Sequence, residues 1–218
     1  GMGASYGNAG LLAQWAFIPV TGPHMLRMAA KYIPNPNSPL FLQWSYLPRM
    51  LPWLRHFIGH ANDTDTRRIV ESLIPLVGDA VDQHRALVKG SAAEKWIANS
   101  SYSFAYANRR AFENDAYGWG LRREAGLVPN IIEGPAVQEE EPILGAQTQF
   151  LAVLNGHGHI VNPGQYVAHM VEIFQKAGGR FVNAEVKDFD LGSGKIRAVD
   201  TDQGRFECDH AVVSAGIW

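Results

Sequence analysis

Gln149-Phe150-Leu151-Ala152-Val153-Leu154, Gly156-His157-Gly158-His159-Ile160-Val161-Asn162-Pro163 and the run from Tyr166 to Ala177 decide the fold. The first block is short, apolar and bounded by turn signals, so it reads as a strand. The second carries two glycines and a proline and reads as a turn. The third spaces Val167, Met170, Val171, Ile173 and Phe174 as one inward helical face, with Gly178-Gly179 as its cap. A strand over residues 180–189 follows, then Lys195 to Thr201, a turn at Asp202-Gln203-Gly204, Arg205 to Cys208, and a buried strand over residues 210–214. Helix, strand, hairpin and buried strand make an α/β unit with a small antiparallel excursion.

Working outward, the last eight residues, Ala211 to Trp218, run from that strand into a glycine turn. Such a turn ordinarily brings the backbone to a phosphate and then opens a helix. At the other end, Ala4-Ser5-Tyr6-Gly7-Asn8-Ala9-Gly10 is a loop of small residues. Ser5 and Asn8 can hydrogen-bond a phosphate or the edge of a heterocycle, and the alanines and glycines let backbone amides approach closely. An ordinary flexible terminus fits the same composition. Both ends read as inner surfaces of a nucleotide site whose other walls belong to residues not in this chain.

Between the ends the pattern is mostly helical. Leu11 to Phe17 reads as extended, residues 23–33 as a short helix, and Pro34-Asn35-Pro36-Asn37 as its stop. Trp44, Leu47, Leu51, Leu54 and Ile58 give residues 40–60 one apolar face, interrupted by prolines. Asn62-Asp63-Thr64-Asp65 caps a helix running from Thr66 to about Val88, with a kink at Pro75. Residues 101–107 alternate as a strand, and residues 108–127 read as a helix weakened by Gly118 and Gly120. The acidic run Glu139-Glu140-Glu141 reads as a solvated loop or helix start.

Composition excludes several functions. A net charge of −2 argues against a dedicated nucleic-acid binder, which needs a basic stripe. Cys208 is the only cysteine, so intrachain disulfides are impossible and a reducing, cytoplasmic compartment is the default. No run reaches the length of a membrane span; the longest candidate, Leu40 to Ile58, is broken by Pro48, Arg49, Pro52, Arg55 and His56. His157 and His159 could chelate a metal only with a third ligand, and none is near in sequence. Asp79, Asp82, His84 and Arg85 share one helix and read as surface charges. Gly1, Gly3 and Gly7 miss the Gly-x-Gly-x-x-Gly spacing, because Tyr6 stands where the third glycine belongs.

Three stretches together resemble the FAD-dependent D-amino-acid oxidase superfamily, most closely the small-subunit type of bacterial D-amino-acid dehydrogenase. They are Ala4 to Gly10, like the family's Ser-x-x-Asn-Ala-Gly loop; Gly158 to Pro163 with the following helix; and Gly178 to Phe181, Ala184 to Val186 and Cys208 to Trp218. Residues 20–145 match only loosely.

The resemblance implies an α/β fold with α+β character in the middle: an incomplete FAD-binding Rossmann-like domain joined to a helical and antiparallel-sheet substrate-domain segment. Residues 1–18 would be a flavin-contacting loop and strand remnant, 19–155 the substrate-domain segment, and 156–218 the partial FAD-binding domain. It implies that Ala4 and Ser5 approach the FAD pyrophosphate and that Asn8, Ala9, Gly10 and Leu11 line the isoalloxazine. Val186 would face adenine, and Ala215 and Gly216 the ribose and phosphates.

The implied reaction is oxidative deamination of a D-amino acid, with a hydride passing from the α-carbon to flavin N5. A catalytic side chain is not assigned: the family's carboxylate-binding arginine and tyrosine come from a later part, and its first βαβ unit is absent here. The chain therefore reads as truncated at both ends, inactive in isolation, with weak or absent FAD binding. A glycine or sarcosine oxidase, a non-catalytic assembly module and an unrelated α/β domain are the alternatives. The Trp44/Trp53 face points to self-association as a homo-oligomer, and the longer protein would be peripheral to the inner membrane.

Overall fold

The structure is a computed structural model, which describes residues 3–23 and 43–216. The expected helix over 23–33 and its proline stop fall almost wholly outside those residues, as do Gly1, Met2, residues 40–42, Ile217 and Trp218. The chain forms two compact units, one ending at Met170 and the other beginning at Val171.

The first unit is organised around one strand. Its elements are β1 (Leu11–Leu12), α1 (Leu47–Gly59), α2 (Asp63–Val77), α3 (Ala80–Val88), β2 (Ile97–Tyr106), α4 (Arg109–Glu113), α5 (Ala116–Glu124), β3 (Asn130–Glu133), α6 (Ala136–Glu140), β4 (Phe150–Ile160) and the start of α7 (Pro163–Lys176). Strand β4 pairs antiparallel with β2 along its length, from Tyr106 opposite Phe150 to Ile97 opposite Ile160. Its other edge is shared: β3 takes Phe150 to Val153, and β1 takes Gly158 and His159.

Residues 150–154 form a continuous apolar run because both faces of β4 are covered. Phe150, Ala152 and Leu154 pack with Trp119, Phe104, Tyr106 and Phe112. Leu151 and Val153 pack on Val137 of α6, with Ile132 and Leu144 beside them. A third cluster joins Phe17, Val70 of α2 and Leu121 of α5. The acidic run thus ends a short helix held down by Val137.

Several expectations need correction. Residues 156–160 are not a turn; they continue β4. The register with β2 shifts between Ser100 and Tyr102, where β4 carries Asn155 and Gly156 opposite Ser101 alone. Gly156 sits at φ +86, so the extra residue is absorbed as a bulge without strain. The expected 66–88 helix is two helices, broken at Gly78-Asp79 rather than bent at Pro75. Pro75 removes one N–H from the ladder, and the chain leaves the helix three residues later. The expected 108–127 helix also breaks, at Asn114-Asp115. Only Leu11 and Leu12 of the expected 11–17 strand pair.

The second unit is an antiparallel meander of β5 (Val186–Gly192), β6 (Lys195–Thr201) and β7 (Gly204–Glu207). Ser193 and Gly194 both have positive φ, the geometry of a tight hairpin turn. The expected strand over 180–189 begins only at Val186, and residues 210–214 form no strand. Val212 and Val213 are 90% and 70% exposed, so the expected burial is not observed. Among the described residues neither 180–185 nor 210–214 has a partner strand, and an unpaired strand does not persist alone. The described strand pairings are all antiparallel.

Candidate functional site

The loop of small residues and the start of α7 meet in one groove. A cavity of about 430 Å³ is lined by Ser5, Asn8, Ala9, Gly10, Leu11 and Leu12 on one side. His84, Ile160, Pro163, Tyr166 and Val167 form the other. Gly10 fixes the join. It has φ +65, its carbonyl accepts the Ile160 N–H at 2.7 Å, and a Cβ there would stand 2.2 Å from the Ile160 carbonyl oxygen. The Asn8 Oδ1 accepts the Gly10 N–H at 2.8 Å, so this side chain shapes the loop.

Helix α7 opens at the groove for local reasons. Asn162 accepts the Gln165 N–H at 3.1 Å through Oδ1, and Pro163 occupies the first helical position. The positive end of the helix dipole therefore faces the groove beside Pro163. Tyr166, one turn in, is buried, and its hydroxyl meets His84 Nδ1 at 2.7 Å. Burial pushes the Tyr166 hydroxyl pKa up. Gly158 makes the approach of α3 possible: a Cβ there would lie 3.2 Å from the Val81 methyls, and His84 is one turn beyond Val81.

Five residues singled out from sequence for this region, Ser5, Asn8, Ala9, Gly10 and Leu11, therefore share a groove; Ala4 lies in the adjoining turn. In the second unit, Val186 begins β5 opposite Thr201 and is exposed, while Ala215 and Gly216 are exposed in irregular chain. His84 and Tyr166 were missed as groove residues. The Asn-Pro entry to α7 signalled Tyr166; nothing in the sequence signalled His84, which had the look of a surface charge.

Ser5, Ala9 and Gly10 leave part of the loop side of the groove with little side-chain bulk, as the approach of a flat flavin ring would require, and β1 is an edge strand, paired only through β4 among the described residues. The edge backbone of Leu11 can thus present polar groups to a flat heterocycle. No group of three or more histidine, cysteine, aspartate or glutamate side chains among the described residues could hold a metal ion. No described helix is long and apolar enough to cross a membrane.

A second cavity, of about 200 Å³, begins where the first ends along the chain. Trp15, Tyr102, Phe104, Arg122, Leu154 and His157 line it, with Ala13, Ala16 and Ile18. The β4 bulge explains how Leu154 and His157, three residues apart, reach the same space: the extra residue restores the facing that strand alternation denies. The Trp15 indole N–H donates to the Asn155 carbonyl at 3.4 Å and closes the bulge. Beneath the cavity, the Trp119 indole donates to the Tyr106 hydroxyl at 2.8 Å, which in turn donates to Asp115 at 2.7 Å. Burial, reinforced by Asp115, pushes the Tyr106 pKa up to about 12.

Known proteins share this chain's pattern. The family described as FAD dependent oxidoreductase, DAO, matches residues 1–218. D-amino-acid oxidase from Bradyrhizobium diazoefficiens is 32% identical over 214 residues, covering 98% of this chain and 51% of that protein. A D-amino acid dehydrogenase from Helicobacter pylori is 23% identical over 215 residues, with the same coverages of 98% and 51%. The chain thus spans about half the length of the curated relatives it matches. Among solved structures, glycine oxidase from Geobacillus kaustophilus aligns with a TM-score of 0.58 at 16% identity, covering 99% of this chain and 46% of that one. L-amino acid deaminase from Proteus myxofaciens aligns at 0.57 and 18%, covering 67% and 34%. These two likenesses speak to the fold. With the family match running through every residue, the chain belongs to the DAO family of FAD dependent oxidoreductases.

Proposed function

We propose that the chain forms one wall of the flavin site and the adjoining substrate-side sheet of an enzyme that oxidatively deaminates D-amino acids. The groove uniting Ser5 and Asn8–Leu12 with the start of α7 carries this reading. The likeness to a D-amino-acid oxidase over 98% of the chain supports the substrate class. FAD, when bound, supplies the acceptor for the hydride leaving the substrate α-carbon.

The chain's own residues do the positioning. Leu11, on the edge strand, offers backbone polar groups to the isoalloxazine, Gly10 holds the loop against Ile160, and Tyr166, held by His84, closes the groove floor. In this reading Ala4 and Ser5 would approach the pyrophosphate. Sheet β2–β4 keeps water from the substrate side through Phe104 and Leu154.

These 218 residues contain no Gly-x-Gly-x-x-Gly turn, and that turn and its helix give the pyrophosphate several N–H donors, each contributing about 0.5–1.5 kcal/mol net and more to a charged group. FAD affinity of the chain alone is therefore weak, and turnover by it is absent. Titrating FAD with the chain and following flavin fluorescence tests this: weak, saturable quenching is expected. A one-to-one yellow complex that survives gel filtration contradicts the incomplete cradle, and no saturable change at all contradicts the flavin reading.

A further inference from the structure

We propose that the Arg122–His157 cavity is a binding site for a small monocarboxylate with a compact apolar body. The proposal stands on the first unit's geometry and does not depend on flavin binding.

Three observations carry it. Arg122 is 8% exposed, its Nε has no hydrogen-bond partner, and no carboxylate among the described residues lies within ion-pair distance of it. Its guanidinium instead sits 4.5 Å from the Phe104 ring and 4.9 Å from the Trp119 ring. Asp115 acts on Arg122 through its charge without forming an ion pair and already accepts the Tyr106 hydroxyl. A buried cation without an anion at contact distance is an expensive arrangement, and native sites hold such cations for a partner.

The second observation is His157, 3% exposed, with neither ring nitrogen in a hydrogen bond. The Leu12 backbone lies close enough to influence the ring but not in hydrogen-bonding geometry. A buried imidazole without a well-formed hydrogen bond is rare, and it lines the same cavity as Arg122. The third is the remaining wall: Trp15, Ile18, Tyr102, Phe104 and Leu154 are aromatic or aliphatic. Charge at one point and apolar surface elsewhere select a ligand with one carboxylate on a small hydrocarbon body. The volume of about 200 Å³ equals roughly six or seven waters of liquid, which suits a handful of heavy atoms. Arginine's fork matches a carboxylate in geometry as well as charge.

The test uses the whole chain without flavin, so its outcome bears on the cavity alone. Isobutyrate and its neutral counterpart isobutyramide are titrated separately, and the Arg122 side-chain Nε–H and the Trp15, Tyr102 and His157 amides are followed by NMR. Expected are saturable shifts at those positions with isobutyrate and at least about tenfold weaker binding of the amide. Arg122→Gln should bring isobutyrate down to the amide's level, and Ala16→Leu, which fills the cavity from an exposed position, should abolish both. Should Arg122→Gln fail to fold, the two ligands on the unaltered chain and Ala16→Leu still decide. Equal binding of acid and amide, no saturable shift with either, or undiminished isobutyrate binding in a folded Arg122→Gln or Ala16→Leu chain would each overturn the proposal.

Discussion

At the scale of single residues, Gly10 and His157 show two different demands on the chain. Gly10 must be glycine: its φ of +65 is left-handed, and the Ile160 carbonyl stands where a Cβ would go. The left-handed backbone alone costs a residue with a Cβ about 1–2 kcal/mol, and the clash adds to it. Gly10→Ala should therefore lower stability by more than about 2 kcal/mol, read as a shift in the urea midpoint, and should also distort the groove. The Ser-x-x-Asn-Ala-Gly pattern made this glycine visible in sequence.

His157 was visible only as half of a His-Gly-His pair. Its burial became apparent once Gly156 was seen to bulge β4. Burial holds the imidazole pKa below its ordinary value, with the Leu12 backbone opposing. The unfolded chain therefore takes up the proton first as pH falls. The stability tied to neutral His157 is intact above about pH 6.5 and is lost as pH drops through that value toward the lower folded-state pKa. His157→Gln should flatten the difference between urea midpoints at about pH 7.5 and about pH 5.5. The stability tied to ionised Asp63 and Asp65 is present throughout that window and is lost only as pH falls below about 3.8, because hydrogen bonds from Tyr117 and Asn62 respectively hold them below the usual carboxylate range.

At the scale of elements, capping and packing were legible to different degrees. Of the expected cap cluster Asn62 to Asp65, Asn62 is the residue that caps α2, which starts at Asp63 rather than Thr66, and its side chain accepts the Asp65 N–H at 2.9 Å. Asn62→Ala should cost about 1 kcal/mol in urea unfolding. The β4 core was legible as a short apolar run, but its length was not: two glycines and a following proline looked like a turn, while the pairing of β2 and β1 holds residues 156–160 extended. Tertiary pairing overrode local signal there, as it did in the opposite sense at residues 210–214, where apolar β-branched residues form no strand without a neighbour.

The sequence also hid how much rests on Trp119. It is 1% exposed, packs against Phe104 and Phe112, and starts the hydrogen-bond chain through Tyr106 to Asp115. Gly118 and Gly120 on either side suggested a weak helix rather than a core position. Trp119→Ala should cost about 3–5 kcal/mol, checked by chemical denaturation.

At the scale of the whole molecule, the family and the mixed helix and antiparallel-sheet architecture follow from motifs near the two ends and from β4 with α7. The ordering of Ser-x-x-Asn-Ala-Gly, Gly-x-Ile-Val-Asn-Pro and the small-residue stretches was enough to indicate the family. The groove itself was only half legible: its loop side is written in consecutive residues, while His84 comes from a helix some seventy positions later, placed by the contact between Val81 and Gly158. The Arg122 cavity was not legible at all, since it needs the β4 bulge to assemble.

The central claim is that this groove faces a flavin. It is tested most directly by recording amide NMR spectra of the chain during titration with FAD. The account predicts saturable shifts concentrated at Asn8 to Leu12, Ile160 and Tyr166, weakened in Gly10→Ala. Saturable shifts that map away from this groove, or no saturable shift at millimolar FAD, would contradict it.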